Sequence, residues 1–424
     1  MHGITLIALV VTIVVLLILA GITISLVFSE NGIIAKAREA ANKTNEAIIN
    51  EQAQMNDVTV AMENMLNGTG GSETTPEEPE GCPAEEFEKW NGTSDEKVNA
   101  VQSTDTTPIT VPVPKGYTAS KVTGETTVED GFVIYEGEEE VNDTNKDTAQ
   151  TTRNQFVWVP VENPSEMYGR DENCKKWGKL YSFSSTGITA ENWTEQDGVM
   201  SITDEEDPRE PDVVTGSDGT KYDAVNTNLQ QAGLEASATA DTFKAQLETE
   251  FNSMIDSVTT YGGFYIGRYE TGNLSQAEAV VVKNNSDIAN KTWYTQYNKA
   301  KGVAANSNVT TSMIWGCQWD AVMRWMYNSG DEEKKTYTYD STGKGNYSDS
   351  KDATGSNEAY AVNNIYDMAG NVYDWTIEAS HANGRVLRGG FFGYGVSISP
   401  ASFRNYNNAS DSGSLYGSRL ALYV

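Results

Sequence analysis

Residues 391–416 carry the side chains whose types and spacing best suit chemistry, and that chemistry is ligand recognition. The stretch is rich in Tyr, Phe, Ser, Asn and Gly and contains no Lys, Glu, Gln, Met or Trp. Rigid aromatic rings provide contact area, and small polar groups provide adaptable hydrogen bonds, as in antibody paratopes. An ordinary Gly- and Ser-rich loop region is the alternative interpretation. The predicted ligand-binding residues are Phe391, Phe392, Tyr394, Ser397, Ser399, Asn405, Tyr406, Asn407, Asn408, Asp411 and Tyr416.

Sequence patterns for the common enzyme chemistries are missing. The chain has no phosphate-cradling glycine loop, no G-x-S-x-G turn and no H-E-x-x-H motif. With His2 and His381 as its only histidines, it offers almost no basis for a histidine-built zinc site. The three cysteines, Cys82, Cys174 and Cys317, lack metal-binding or redox spacing and cannot all pair. Free or buried thiols and a Cys174–Cys317 disulfide both stay open.

The charge of the chain excludes several kinds of partner. It carries 60 acidic and 30 basic side chains, for a formal net charge of -30. Such a surface would repel nucleic acid and anionic lipid, so no nucleic-acid partner is predicted. The 21 Tyr and 9 Trp are more than a disordered chain needs, which predicts a packed, β-rich head.

An uncharged apolar run occupies residues 4–28, directly after Gly3. At about 1.5 Å per residue, it is long enough to cross a bilayer as a helix. No Lys or Arg precedes the run and no A-x-A cleavage site follows it, unlike a secretory signal peptide. Residues 31–66 contain no proline and continue a loose apolar stripe. These patterns predict one helix over 4–66, half apolar and half amphipathic.

Composition predicts the remaining boundaries. Residues 67–106 are acidic and rich in Pro and Gly, as expected of an extended linker. From residue 107 to residue 424 the pattern becomes that of a globular head. Polar loops are predicted at 138–152 and at 162–240. Strands are predicted at 109–113, 131–135, 155–161 and 263–270.

Two amphipathic helices are predicted to pack on the core of this head. The first spans 240–259 and the second spans 313–328. Each places large apolar side chains on one face at spacings of three and four. The apolar faces consist of Phe243, Leu247, Phe251, Met254 and Val258 in the first helix and Trp315, Trp319, Val322, Met323 and Met326 in the second.

The N-terminus resembles type IV pilins and pseudopilins, because Gly3 is followed by Ile4-Thr-Leu-Ile and an apolar helix. The resemblance implies a leader of residues 1–3, cleavage after Gly3, a new terminus at Ile4, and packing of the helix with the same or other pilin-like subunits. The chain departs from the family at Ala8, where pilins usually have Glu. A plain membrane anchor that does not polymerise is the alternative.

The C-terminal part resembles the formylglycine-generating (sulfatase-modifying factor) family. The residues that carry the resemblance are Gly370-Asn-Val-Tyr-Asp-Trp375, Arg388-Gly-Gly and Gly417-Ser-Arg419. Over 107–424 it implies a C-type-lectin-like fold, so the predicted fold class is α+β, a long helix followed by this head. The family's oxidation chemistry needs cysteines between the RGG motif and the last strand. No cysteine lies between Gly390 and Gly417, so we expect no enzyme activity.

The same resemblance implies a structural calcium ion as the one cofactor to consider. Relatives bind calcium at the turn matched here by Asn371 and Asp374, through the oxygen ligands that a hard cation prefers. Asp143-x-Asn145-x-Asp147 begins like a calcium loop. However, Thr148 stands where glycine is needed and Asn154 where glutamate is needed, so we interpret this segment as a solvated loop.

The composition of 391–416 also resembles the variable regions of diversity-generating-retroelement target proteins. The missing residue types are those that codons ending in a pyrimidine cannot encode. The predicted function is a cell-surface or extracellular-filament subunit, membrane-anchored before assembly, whose head binds a protein or glycan ligand. A structural subunit whose head only coats the fibre is the alternative, and a non-polymerising membrane-anchored binding protein is the second alternative.

Overall fold

The computed structural model describes residues 82, 87–171, 173–196, 199–201, 214–215, 221–222, 229–235, 237–303, 306, 308–381, 384–393 and 399–424. The predicted leader and the predicted helix over 4–66 lie outside these residues, as do Tyr394 and Ser397. Within the described ranges, no helix is both long enough and apolar enough to cross a membrane.

The described residues form a mixed α/β unit in which strands dominate. The strands are β1 (Val98–Gln102), β2 (Thr110–Pro114), β3 (Tyr117–Ala119), β4 (Val133–Glu136), β5 (Gln155–Pro160), β6 (Tyr168–Arg170), β7 (Lys176–Ser184), β8 (Gly187–Gln196), β9 (Val199–Ser201), β10 (Val214–Thr215), β11 (Lys221–Tyr222), β12 (Gly263–Gly267), β13 (Thr310–Met313), β14 (Ala361–Val362), β15 (Ile365–Tyr366), β16 (Tyr373–His381), β17 (Gly384–Arg388), β18 (Arg404–Asn408), β19 (Tyr416–Ser418) and β20 (Leu420–Tyr423). The α-helices are α1 (Lys146–Thr152), α2 (Ala240–Tyr261), α3 (Trp293–Ala300), α4 (Gly316–Tyr327) and α5 (Glu332–Tyr339).

The two predicted core helices are present as α2 and α4. Thr239 and Thr242 form a capping box at the start of α2, and Gly262 ends it with a φ of 75°. The side chains predicted for their apolar faces are all buried. Helix α1 was not expected, because it lies inside the predicted polar loop 138–152 and buries little beyond Ala149 and Gln150.

A six-stranded antiparallel sheet forms the centre of the head, in the order β13-β20-β12-β5-β4-β3. Five of these strands bury every residue or every residue but one. This burial explains the largely apolar sequences of β4, β5, β12 and β20. The strand predicted at 131–135 is present but shifted to Val133–Glu136, and those predicted at 155–161 and 263–270 begin as predicted and end earlier, at Pro160 and Gly267.

A second antiparallel sheet, in the order β6-β7-β8-β9, occupies much of the predicted loop 162–240. The loop prediction was wrong there, because β7 and β8 pair with each other over most of their length and most residues of β7 are buried. On β7, Trp177, Leu180 and Tyr181 are buried. The backbone N–H of Tyr181 donates to the Asp320 carboxylate of α4 at 2.8 Å, which fixes the hairpin against that helix.

The head begins earlier than the predicted boundary at residue 107. Strand β1 pairs along its whole length with β2, and the backbone N–H of Trp90 donates to the Thr260 carbonyl at 3.0 Å. A disulfide joins Cys82 to Cys174, so Cys174 does not pair with Cys317, which is buried and forms no disulfide. The last part of the predicted linker is therefore attached to the head.

A third sheet, in the order β18-β17-β16-β19, carries the segment that the sequence singles out for binding. Strands β16, β17 and β18 are antiparallel neighbours, and β19 runs parallel to β16. Strand β18 is an edge of this sheet, so its outer side is not covered by another strand in the described part of the chain.

Candidate functional site

The candidate site is one face of the third sheet, which we call the aromatic–amide face. Successive side chains of a strand point to opposite faces, and directly paired residues share a face. Tyr373 pairs with Tyr416, and Leu387 pairs with Asn405, so the side chains of each pair lie on the same face of the sheet. The aromatic and amide side chains of this face are Tyr373, Trp375, Phe391, Phe403, Asn405, Asn407 and Tyr416. Tyr373 and Trp375 are buried, and the other five are half-buried.

The two asparagines of this face are held by tyrosine hydroxyls. The Asn405 Nδ2 donates to the Tyr373 hydroxyl at 3.3 Å, and the Asn407 Nδ2 donates to the Tyr416 hydroxyl. Burial raises the pKa of Tyr416, the Asn407 hydrogen bond lowers it and the Asp411 charge raises it. The net shift in the pKa of Tyr416 is upward, so its hydroxyl stays protonated at neutral pH. It can therefore donate a hydrogen bond to a ligand.

Aromatic rings pack around Tyr373 at the other end of the face. The Phe391 ring lies 5.0 Å from the Tyr373 ring, and the Phe403 ring stacks on it at 6.3 Å. The Phe392 ring contacts Phe391 edge-on at 5.6 Å. Phe391, Phe392 and Phe403 are half-buried. Rings in such clusters are fixed by their neighbours and therefore present contact area at low entropic cost.

The asparagine side chains also protect the open edge of β18. The backbone N–H of Tyr406 donates to the Asn405 Oδ1, and that of Asn408 donates to the Asn407 Oδ1, each at 2.8 Å. An unprotected edge would offer these N–H groups to a strand of another molecule. The side chains therefore favour recognition through the face over strand addition at the edge.

Tyr406 lies on the opposite face of the same strand, where its partner in the register is the buried Val386. It is 51% exposed, and it and Ile109 are the exposed large apolar side chains of the described residues. The structure therefore divides the predicted binding residues between two faces that meet at the edge of the sheet. Asn408 is exposed and Asp411 is half-buried in the turn that follows β18.

Ser399 does not belong to the binding surface, which corrects its assignment as a ligand-binding residue. It is fully buried, and its carbonyl accepts the Tyr347 hydroxyl at 2.6 Å. Ala401 is fixed as well, because its carbonyl accepts a hydrogen bond from the Trp319 Nε1–H at 3.0 Å. A side chain inside the domain has no surface to offer a ligand.

A buried charge cluster fixes the start of β18 to the core. Arg404 of β18 and Arg388 of β17 face the carboxylates of Asp320 and Glu378. The Arg388 Nη2 lies 2.9 Å from the Asp320 Oδ1, and the Arg404 Nε lies 3.1 Å from the Glu378 Oε1. Two guanidinium groups balance two carboxylates, which makes their burial tolerable.

The glycines of the two recognisable motifs have a structural reason in this fold. The backbone N–H of Gly370 donates to the Gly389 carbonyl at 2.7 Å, which brings the motifs together. Both glycines have positive φ, 74° and 83°. A Cβ on Gly389 would also lie 2.4 Å from the Met368 carbonyl oxygen. Only glycine fits such a position without displacing backbone.

The two residues assigned to calcium have protein partners. The Asn371 Oδ1 accepts hydrogen bonds from the Asn346 Nδ2 at 3.1 Å and the Asp352 backbone N–H at 2.8 Å. The Asp374 Oδ2 lies 3.1 Å from the Arg419 Nε. The Arg419 guanidinium therefore already supplies a positive charge beside the Asp374 carboxylate. No group of three or more Asp, Glu, His or Cys suited to a metal occurs among the described residues.

Three buried carboxylates, those of Glu270, Asp367 and Asp374, interact with one another in the region of Asn371. Burial raises the pKa of Asp374 to about 6, although the Arg419 guanidinium acts in the opposite direction. Burial also raises the pKa of Glu270, and the neighbouring charges of Asp367 and Asp374 raise it further. The Glu270 carboxylate accepts a hydrogen bond from the Asn371 Nδ2 at 2.6 Å. The cluster supports the turn below the candidate site.

None of the side chains that form the described candidate site is a cysteine. Cys317 begins α4, with 1% of its surface exposed, and the other two cysteines form the disulfide. A thiolate-bound metal therefore does not fit the residues present. The candidate site offers hydrogen bonds and aromatic contact area.

Sequence reasoning missed three members of the face, namely Tyr373, Trp375 and Phe403. Tyr373 and Trp375 alternate along β16, so a period of two in the Gly370–Trp375 motif was the available signal. Phe403 lay inside 391–416 but was not selected. Its stacking on Tyr373 depends on a contact that sequence spacing does not reveal.

Residues 301–424 match the model of the sulfatase-modifying factor enzyme 1-like domain. This match confirms the resemblance over the C-terminal part of the predicted range and leaves 107–300 unmatched. Solved structures with some likeness include CarF, at 15% identity and a TM-score of 0.28, covering 38% of this chain and 87% of that chain. The Major Tropism Determinant I1 variant has 16% identity and a TM-score of 0.25, covering 38% of this chain and 50% of that chain.

Variable protein 1 of Treponema denticola has 15% identity and a TM-score of 0.24, covering 64% of this chain and 96% of that chain. These TM-scores are too low to establish a shared fold. Comparison with curated proteins gives no match.

Proposed function

We propose that the head is a binding module that recognises a protein or glycan ligand through the aromatic–amide face. The observation that carries this proposal is the convergence of five half-buried aromatic and amide side chains, Phe391, Phe403, Asn405, Asn407 and Tyr416, around the buried Tyr373 and Trp375 on one face of the third sheet. Each asparagine amide has two N–H donors and uses one for a tyrosine hydroxyl. The second donor of each amide, with the surrounding rings, provides oriented polar groups on an aromatic surface.

The proposed location is the cell surface, with the N-terminal helix as a pilin-like stem or a plain anchor. The apolar run at 4–28 supports a stem. The Cys82–Cys174 disulfide supports export, because disulfides persist mainly in oxidising compartments. The proposed partners of the stem are copies of the same helix or other pilin-like subunits, with the membrane holding the chain before assembly.

The head is also proposed to lack formylglycine-generating activity and to vary between siblings at 391–416. The absence of cysteine between Gly390 and Gly417 supports the first statement. The restricted residue types of 391–416 support the second. A calcium ion is not included in the proposal, because Arg419 pairs with Asp374.

The test is binding by the purified full-length chain to a glycan array and to intact host and bacterial cells. We expect the Phe391→Ala/Asn407→Ala variant, which removes two members of the face, to lose at least about tenfold in affinity, since central aromatic and polar contacts carry most binding energy. Tyr406→Ala tests whether the opposite face contributes. Asn298→Ala is the matched control, because Asn298 is an exposed asparagine on α3.

Two outcomes would change the conclusion. Unaltered adhesion by all three site substitutions, with filaments still seen by electron microscopy, would favour a structural subunit whose head coats the fibre. Equal loss of adhesion in the Asn298→Ala control would show that the assay reports folding rather than the face.

A further inference from the structure

A cleft of about 500 Å³ opens on the head and shares no residue with the aromatic–amide face. Its walls come from the β1–β2 loop, the segment after β5 and the C-terminal half of α4. Ligand sites typically occupy roughly 300–1,000 Å³, so this cleft has the size of a binding site.

The floor of the cleft is apolar. Val128, Val161 and Met167 line it and are buried, and the half-buried Trp325 adds an indole ring from α4. Ile109 stands at the rim with 46% of its surface exposed. Single exposed apolar residues are common on proteins, but Ile109 adjoins the apolar floor and extends it to an exposed rim that a ligand can cover.

The rim of the cleft is acidic. Asp105, Glu129, Glu162 and Glu166 line it, against the single basic residue Arg324. Some of these carboxylates already have hydrogen-bond or ion-pair partners within the protein. The Asp105 carboxylate accepts the backbone N–H groups of Val128 and Glu129, at 2.9 and 3.0 Å.

Arg324 also has partners within the protein. It forms an ion pair with Glu166, and its guanidinium carbon lies 4.4 Å from the centre of the Tyr181 ring. Within the described ranges, the side chains of Glu129 and Glu162 form no ion pair. The cleft therefore combines an apolar floor with two acidic groups available for a cation, in a protein whose net charge of -30 reinforces the attraction.

We propose that this cleft binds a lysine or arginine side chain of a partner polypeptide, together with an apolar neighbour of that residue. The ammonium or guanidinium group pairs with Glu129 and Glu162. Its aliphatic stem and the apolar neighbour cover Ile109 and the floor, and the cation can also approach the Trp325 ring. A free polyamine would satisfy the carboxylates but leave the apolar floor uncovered, so charge and floor together favour a peptide.

The experiment is isothermal titration calorimetry of the full-length chain with a short peptide of alternating lysine and leucine. We expect saturable binding that weakens about tenfold in the Glu129→Gln/Glu162→Gln variant, as two exposed ion pairs can supply. The matched control is Glu138→Gln/Glu139→Gln, which changes the net charge equally at two exposed positions outside the cleft. This control should bind the peptide as the wild type does.

Two further measurements keep the proposal falsifiable. Ile109→Ser, a change at an exposed position, should weaken peptide binding without altering stability. Equal weakening in both double variants would show non-specific attraction, and spermidine binding as tightly as the peptide would show a free-amine site. Either result, or no saturable binding by the wild type, would overturn the proposal.

Discussion

Asn405 and Asn407 each serve the strand and the candidate site at once. The amide oxygen of each caps the next backbone N–H of the β18 edge, and the amide nitrogen reaches a tyrosine hydroxyl. An aspartate at either position would keep the cap but lose the donor. The recognition chemistry of the face therefore depends on the amide and not only on the length of the side chain.

The Asp374 carboxylate gives a prediction about pH and stability. Its pKa in the folded head is raised to about 6 from 3.8, chiefly by burial. Between these values the folded state binds the proton more tightly than the unfolded state, so the free energy of unfolding falls as pH rises. The contribution is on the order of 3 kcal/mol. Chemical denaturation from pH 4 to pH 7 should show this fall relative to Asp374→Asn.

The control for this measurement is Asp349→Asn, which removes the same charge at an exposed position. The stability difference between wild type and Asp349→Asn should change much less across the same range. If the stability difference between wild type and Asp374→Asn changes with pH in the same way as that between wild type and Asp349→Asn, burial of Asp374 is not the cause.

At the scale of elements, β18 has exposed side chains near its end, whereas its first residue is fixed to the core. Its first residue, Arg404, enters the buried charge cluster with Asp320 and Glu378. The segment before it is fixed through Ser399 and Ala401. Removing one member of such a cluster leaves a buried charge uncompensated, which is more costly than most surface changes. Only part of 391–416 is therefore free to vary.

This division predicts where natural variation falls if the segment is diversified. Asn405, Tyr406, Asn407 and Asn408 should differ among siblings, whereas the buried residues between 399 and 404 should stay constant. Sequencing the gene from many isolates of one strain measures this directly. Uniform sequences at 405–408, or changes spread evenly over the whole chain, would contradict diversification.

At the scale of the whole molecule, the Cys82–Cys174 disulfide closes a long loop with a sequence separation of 92. Removing a native disulfide typically costs about 2–5 kcal/mol, so Cys82→Ser/Cys174→Ser should unfold at a lower temperature. Thermal unfolding of the full-length chain with and without reductant tests this. Reductant should lower the midpoint of the wild type to that of the variant and leave the variant unchanged. Identical midpoints in all four samples would show that the bond adds no stability.

The head as a whole presents two chemically different surfaces. The aromatic–amide face offers rings and amides, whereas the cleft beside α4 offers an apolar floor with an acidic rim. Because they share no residue, substitutions at one should leave binding at the other intact. The strongly acidic surface favours cationic partners at both.

The sequence by itself determined the elements with strong local patterns. The apolar stripes of α2 and α4 and the continuous apolar strands β5 and β12 follow from periodicity, which is a local property. The motif glycines and the composition of 391–416 pointed to the sheet that carries the candidate site. The hairpin of β7 and β8 escaped prediction because its strands are held by pairing with each other and by a contact with α4, and both are long-range interactions.

Only the tertiary structure decided which side chains meet. Alternation along β18 separates Tyr406 from Asn405 and Asn407, and long-range packing buries Ser399. The Cys82–Cys174 pairing, the cleft beside α4 and the Arg419 contact with Asp374 also join residues far apart in the chain. Such contacts depend on how sheets and helices pack, and spacing along one sequence does not record that packing.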